Sequence, residues 1–396
     1  MNELSHLLRR AREMLPKLVE MRRDLHRHPE LGFEERRTAQ RIVEELDDLR
    51  LQVHTGIGRT GVVAILEGAQ PGPAIGLRAC LDGLPIQEAT GASYASEVPA
   101  VSHACGHEAQ CVQLVGAVRL LAFMRDRLAG RIALIFQPAE EIDQGAKAML
   151  ADGLLDLVPL DAVFGVHGHP DLKVGTIGIR PGSINASIDT VTIHVRGHYG
   201  HGAFPHRAID AILAASSIVT QLQSVVARNV DPLEPAVVTI GTFHAGKVSN
   251  VVADQAELTG TIRCASPTVR VLLFDHIQRV AEGTAAALGA KCELEFTLGI
   301  PSVVNNQRLV ERVRRELAPV IGPENIVEPP VRMGGDDFSV FAEKVPGCYI
   351  HIGFADPGSN RVLNLHTAEF DFDERALAIG SFVLAAASLI ALGQSR

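Results

Sequence analysis

Ser102-His103-Ala104-Cys105-Gly106-His107-Glu108 sets a thiolate and an imidazole two residues apart, with a carboxylate directly after them. Three further segments carry groups of the same kind: Pro138-Ala139-Glu140-Glu141, Val166-His167-Gly168-His169-Pro170 and Leu365-His366-Thr367. Each stands at the end of an apolar, strand-like run. A fold that unites them must bring several strand ends to one place, which a mainly parallel sheet does at its carboxyl edge.

Divalent ions of the Zn and Mn type accept thiolate, imidazole and carboxylate, and two ions about 4 Å apart need five or more protein groups with one position left for water. Cys105, His107, Glu141, His167 and His366 would supply that set. For any one of them alone, a buried structural role is the commoner one. Their joint placement at strand ends is what points to a metal centre. Glu140 and Glu141 are adjacent, so beyond a strand they can point apart, one to ligate and one to hold a proton. Water activated by a cation needs a base to take its proton and an acid to protonate the leaving amine, and an unligated carboxylate does both. A solvated acidic turn, with Asp143 close behind, is the competing reading of the pair.

At 396 residues the chain exceeds the size at which one core usually keeps growing, so two domains are expected. A net charge of −9 without a long basic run argues against nucleic acid as a partner. A small-molecule substrate fits better. Six scattered cysteines do not form the dense framework of a small secreted domain, and a reducing cytoplasm fits them. The first residues lack an apolar signal core. The 376–393 stretch is nearly free of charge, but it is rich in Ala and carries Gly380, Ser381 and Ser388. It reads as a buried helix rather than a membrane span, opened by acidic first-turn residues at Asp371-Phe372-Asp373-Glu374.

Residues 7–49 read as helix, broken around His28-Pro29-Glu30-Leu31-Gly32, and 109–124 as another helix. Strand-like runs fall at 61–66, 74–78, 131–136, 162–166 and 349–353, alternating with helices as in a mainly parallel or mixed sheet covered on both faces. From about residue 186 the texture changes to strand 188–196, helix 208–226, strands 236–244 and 255–265, helix 267–288 and strand 291–298. This β-α-β-β-α-β order is the ferredoxin-like plan. The expected fold is therefore α/β, with a discontinuous catalytic domain (1–185 and 299–396) interrupted by an inserted α+β domain (186–298).

With these residues in place, the chain resembles the aminoacylase and carboxypeptidase family of dinuclear metallopeptidases. The likeness is to the amidohydrolase branch of hippurate hydrolases and indole-acetyl-amino-acid hydrolases. The residues that carry it are the run from Arg22 to Glu35, His103-Ala104-Cys105-Gly106-His107, Phe136-Gln137-Pro138-Ala139-Glu140-Glu141, Gly200-His201-Gly202-Ala203, Arg228-Asn229-Val230-Asp231-Pro232, Asp336-Asp337-Phe338 and Leu365-His366. The resemblance implies that Cys105, His107, Glu141, His167 and His366 ligate two divalent ions (Mn, Zn, Co or Ni) per subunit and that Glu140 is the general base and acid. It also implies that Asp82 orients metal-bound groups. His201 would reach into a partner subunit's site to stabilise the oxyanion, while Asn250 and Arg263 hold the substrate's carbonyl and free carboxylate. It implies further that the inserted domain is a lid and the dimerisation surface of a homodimer.

Several positions depart from the branch pattern, among them Cys80, Gly83, Glu108, Gln110, Ile142-Asp143-Gln144, Gly168-His169 and Gly335-Asp336. None is a proposed ligand, and His169 reads as a pocket wall more readily than as a sixth ligand. The reading that follows is a metal-dependent amidohydrolase acting on N-acyl-amino acids, with Glu140 taking a proton from water and returning it to nitrogen. Alternatives are a metallo-carboxypeptidase or dipeptidase, a hydrolytic deaminase of an aromatic amine, and a catalytically silent metal-binding relative.

Overall fold

The structure is a computed structural model and describes residues 3–358 and 364–394. The chain divides into two compact units: Met1–Gly182, Val304–Pro330 and Asp337–Arg396 form one, Ser183–Val303 and Val331–Asp336 the other. Placing residues 299–396 in the larger domain and starting the insert at 186 thus misassigns a few residues at each boundary, since the second unit runs Ser183–Val303, and misses Val331–Asp336, which belongs with the insert because it bonds to it. The Ala186 amide donates to the Arg332 carbonyl and the Arg332 amide to the Ile184 carbonyl, both at 2.9 Å. The Arg263 guanidinium donates to the Met333 carbonyl at 3.0 Å.

The larger unit is built on an eight-stranded sheet, ordered Gln52–Ile57, Gly61–Glu67, Ala129–Gln137, Gln70–Cys80, Ala162–Lys173, Gly347–Ala355, Ile177–Gly178, Ile326–Val327. The four long central strands run parallel, and antiparallel pairings close one side, so the sheet is mixed and mainly parallel as expected. Side chains alternate across it. Phe164, Val166, Ile350 and Ile352 face the main apolar core, whereas Gly165 lies against Phe338 and Tyr349 on the other face. His167 and His351 follow at two-residue spacing on that second face and are paired in register.

Helices Glu3–Arg27, His107–Ala122 and Ala376–Leu392 contribute their buried residues to the main core. Ala376 through Ile390 are all buried, so the apolar C-terminal stretch is a core helix. Its small residues have a packing reason. A Cβ on Gly380 would lie 2.2 Å from the Gln113 side chain, and one on Gly116 would lie 2.1 Å from Ser381 Oγ. The two helices therefore approach too closely for larger residues. Ser381 and Ser388 donate to the carbonyls one turn back, Leu377 and Leu384, both at 2.9 Å. The acidic run before this helix does not form its first turn, which begins at Ala376 after Arg375. Asp371 and Glu374 instead bind Arg22.

The second unit has a four-stranded antiparallel sheet in the order Ala236–Ala245, Gln255–Cys264, Ser187–Arg196, Lys291–Ile300. With helices Ala211–Asn229 and Pro267–Ala287 this is the ferredoxin-like arrangement. The helices start where their caps dictate: Asp210 accepts from the Ile212 and Leu213 amides, and Ser266 precedes Pro267. Ala211–Asn229 is long and apolar enough by composition to cross a membrane, but its buried face, Ala211, Ala214, Ala215, Ile218, Leu222 and Val225, belongs to this unit's own core.

Candidate metal centre and active site

Parallel strands put their carboxyl ends on one edge, and four of the expected groups arrive there. Asp82 follows the Gln70–Cys80 strand, and Glu140 and Glu141 follow Ala129–Gln137. His167 lies within Ala162–Lys173 rather than past its end, because pairing with Gly347–Ala355 carries that strand on through Gly168 and His169. Cys105 and His107 flank Gly106, whose φ of 80° precedes the helix starting at His107. His366 comes from the distant C-terminal region, and its amide donates to the Ala104 carbonyl at 2.8 Å.

The five expected ligands meet as two overlapping groups whose donor atoms lie within 4.8 Å of one another: Cys105 with His107 and His167, and Cys105 with Glu141 and His366. Cys105 Sγ is 3.4 Å from His167 Nε2 and 3.3 Å from His366 Nε2. Glu141 spans the two groups, 3.7 Å from His107 Nε2 through one oxygen and 3.5 Å from His366 Nε2 through the other. A shared thiolate and five N, O and S donors suit two divalent ions.

The tautomers fit that role. His107 Nδ1 faces the Asp82 carbonyl at 3.0 Å and the Asp82 carboxylate at 3.1 Å, and His167 Nδ1 faces the Gly168 carbonyl at 2.9 Å. All are acceptors, so both rings carry hydrogen on Nδ1 and turn Nε2 toward the thiolate. Buried His107 Nε2 and Glu141 Oε1 have no hydrogen-bond partner among the described residues, as metal-ligand atoms would. Burial alone would lower the His107 imidazole, but the hydrogen bond to Asp82 and the charges of Asp82 and Glu141 hold it at about 9. The site therefore has a field that draws positive charge. Burial pushes the Glu141 carboxyl up despite neighbouring His107 and His366.

Glu140 lies beside this set, its Oε2 3.6 Å from His107 Nε2, and is only 8% exposed. The loop that holds it is strained. Ala139 has φ 51°, a left-handed conformation that costs a non-glycine residue roughly 1–2 kcal/mol. Gly145 closes the turn, where a Cβ would fall 1.6 Å from the Pro138 carbonyl oxygen. The Ala139 amide donates to Glu35 and the Glu141 amide to Asp82, both at 2.8 Å. Asp337 brings another buried carboxylate within 4.8 Å of Glu140; it is held by Arg78 at 2.6 Å and by the Ala146 amide at 2.9 Å.

Sequence reasoning missed a charged layer beneath the ligands. Arg22, fully buried, donates to Glu108 at 3.1 Å, to Asp371 at 3.0 Å and to Glu374 at 3.4 Å. His26 Nδ1 lies 2.8 Å from Glu108, and its Nε2 lies 3.3 Å from Glu88. Burial would raise Glu108, yet Arg22 and His26 hold its carboxyl well below the usual range. His103, buried at 1% exposure, is pushed down to about 4 by desolvation and stays neutral near pH 7. The signal available was the run from Arg22 to Glu35, recognisable as a motif but silent about its partners.

The departures from the branch pattern have local explanations. Gln110 Oε1 accepts from the Cys80 amide at 3.1 Å, and Cys111 Sγ donates to the Cys80 carbonyl. At Gly83 a Cβ would come 3.0 Å from the Ser102 carbonyl oxygen. His169 packs edge-on against His351, with ring centroids 4.9 Å apart, and belongs to none of the potential ligand groups among the described residues.

In the second unit, His201 and Asn250 come together. The Gly200–His201 strand pairs with Val251–Val252, and the Gly202 amide donates to the Asn250 carbonyl at 2.8 Å. Arg263 lies on the four-stranded sheet instead. The Gly197 amide bonds to Asp254 next to the Gln255 end of the Gln255–Cys264 strand, and Arg263 sits eight residues farther along it, about 27 Å of extended chain.

N, O and S donors gathered at the carboxyl edge of a parallel sheet, from buried Cys105 and His107 out to exposed His366, with the Glu140 carboxylate beside them, define a metal-dependent hydrolase. Residues 76–389 match Peptidase family M20/M25/M40, and the chain belongs to that family, in its amidohydrolase branch, whose members act on C–N bonds. It is 40% identical over 377 residues to the N-acetylcysteine deacetylase of Bacillus subtilis strain 168, covering 95% of this chain and 97% of that protein. It is 35% identical to thermostable carboxypeptidase 1 of Saccharolobus solfataricus, covering 94% of each. Among solved structures, the YXEP protein of Bacillus subtilis, a dinuclear metal binding peptidase of the M20 family, is 36% identical. It aligns over 96% of this chain and 99% of its own with a TM-score of 0.86.

Proposed function

We propose that this enzyme hydrolyses the amide bond of N-acyl-amino acids, releasing a carboxylic acid and a free amino acid. The observation that carries the reading is Glu140: the two donor groups that share Cys105 do not include it, while it lies 3.6 Å from His107 Nε2 in a third group with His107 and Glu141, close enough to reach a water bound there. Cys105, His107, Glu141, His167 and His366 would hold two divalent ions, which when bound polarise the scissile carbonyl and acidify water. Glu140 takes a proton from the attacking water and delivers it to the departing nitrogen, so that one carboxylate serves as base and then acid. Asp82 keeps His107 in the tautomer that presents Nε2.

Arg263 would read the substrate carboxylate with paired hydrogen bonds, and His201 and Asn250 would meet the oxyanion and carbonyl oxygens. The same reading makes the enzyme a homodimer in which one copy's His201 and Asn250 serve the other copy's site. N-acyl specificity agrees with the deacetylase relative, while the carboxypeptidase relative keeps a dipeptide substrate as the second reading.

The test is an amine-release screen over N-acetyl and N-aroyl amino acids, dipeptides and aromatic amines, with and without chelator and added Mn or Zn. N-acyl-amino acids are expected to be the best substrates. Turnover of dipeptides alone would favour the carboxypeptidase. Ammonia from aromatic amines alone would favour a deaminase.

A further inference from the structure

We propose that Glu35 is a positioning residue for Glu140, fixing the strained turn from which the base projects. The inference rests on the reading of Glu140 as the base. Glu35 stands at the N-cap of helix Arg36–Leu46, where an acidic side chain ordinarily accepts from that helix's first amides, yet it makes no such bond. Glu30 does that work, accepting from the Arg37 amide at 3.0 Å and the Thr38 amide at 2.8 Å.

Glu35 is thereby released to point the other way. Its carboxylate, fully buried, accepts from the Ala139 amide at 2.8 Å through one oxygen and from the Thr60 hydroxyl at 2.5 Å through the other. No ion pair compensates it among the described residues. A buried carboxylate without a counter-ion is an expensive way to fill space, and a Met or Leu would pack there without that penalty. What the carboxylate provides is a strong acceptor for one particular amide. Ala139 is that amide's owner, it has φ 51°, and Glu140 is the next residue. On the other side of Glu140, the Glu141 amide donates to Asp82. The base is thus held between two amides, each tied to a buried carboxylate, and Glu35 supplies one of the two ties.

Three readouts on the full-length, metal-loaded protein test this in Glu35→Ala, Glu35→Met and Glu35→Gln. They are hydrogen–deuterium exchange of the peptide 136–144, metal content, and steady-state kinetics on the N-acetyl amino acid that the wild type hydrolyses fastest. Glu35→Met keeps the volume and decides the matter should Glu35→Ala not fold. In Ala and Met, exchange is expected to quicken in 136–144, metal content to hold, and kcat to fall about 10- to 100-fold with little change in KM. Gln, which can accept from Ala139 and donate to Thr60, is expected to recover most of kcat. Unchanged kcat in Ala or Met would overturn the proposal, as would a Gln variant as impaired as they are. A wild type inactive on every N-acyl-amino acid would instead count against the hydrolase reading. The exchange data would then decide by themselves whether Glu35 holds the turn.

Discussion

His107 gives its Nδ1 to Asp82 at 3.1 Å and so turns its Nε2 toward Glu140 and Glu141, 3.6 and 3.7 Å away. One buried carboxylate thus sets the tautomer of His107, a proposed ligand, and its second oxygen holds the amide of Glu141, the proposed ligand across from it. Asp82→Ala is expected to weaken metal binding about 10- to 100-fold. Competition with a fluorescent chelator measures it, and wild-type affinity in the variant would show that the tautomer is set by other groups.

Glu140→Gln keeps the size and the neighbours of Glu140 but removes proton transfer. Turnover should fall about a hundred- to ten-thousand-fold while the ion content stays that of the wild type. Metal analysis beside single-turnover kinetics separates the two effects. Loss of metal in this variant would move Glu140 into the ligand set.

Arg22 compensates Glu108, Asp371 and Glu374 from a fully buried position. Arg22→Met leaves buried Glu108 with only His26 and takes the Arg22 partner from Asp371, while Arg23 still holds Glu374 at 2.7 Å; it should cost about 3–5 kcal/mol of stability, read from urea melts. A loss below about 1 kcal/mol would mean that water reaches the layer.

His26 gives the stability a pH dependence of definite sign. Burial lowers its pKa, but the hydrogen bonds its ring donates to the Glu108 and Glu88 carboxylates outweigh this and raise it above the ordinary imidazole value. Protonated His26 therefore stabilises the fold below the ordinary value, and that contribution is lost as pH rises through the raised one. His26→Gln should accordingly be more destabilising, relative to wild type, at about pH 6 than at about pH 9. Equal deficits at both would show that His26 is neutral in the fold. Glu88, depressed by the same partner although burial opposes it, contributes above the ordinary carboxylate range and loses that contribution as pH falls.

The sheet, the inserted ferredoxin-like unit and the gathering of Cys105, His107, Glu141, His167 and His366 were legible because they rest on local pattern: period-two runs, helical spacing, and Cys, His and Glu side chains close behind strands. What was not legible depends on partners remote in the chain. The acids at 371–374 look like a helix cap, but 349 residues separate Asp371 from the Arg22 that claims it. Glu35 stands at an N-cap and serves Ala139 instead, while Glu30, within the loop, does the capping. Val331–Asp336 has no pattern of its own and joins the second unit through bonds to Ile184, Ala186 and Arg263. His201 and Arg263 were both legible as polar groups near Gly or at a strand end, but that His201 pairs with Val251 in a small two-stranded sheet while Arg263 lies on the four-stranded one follows only from the pairing.

The central claim is that Cys105, His107, Glu141, His167 and His366 form one two-ion centre that drives amide hydrolysis. Metal analysis of the purified protein, paired with amine release from N-acyl-amino acids before and after chelation, tests it most directly. The account predicts about two divalent ions per chain, loss of turnover on chelation and its return with Mn or Zn. Turnover that survives complete removal of metal would contradict it.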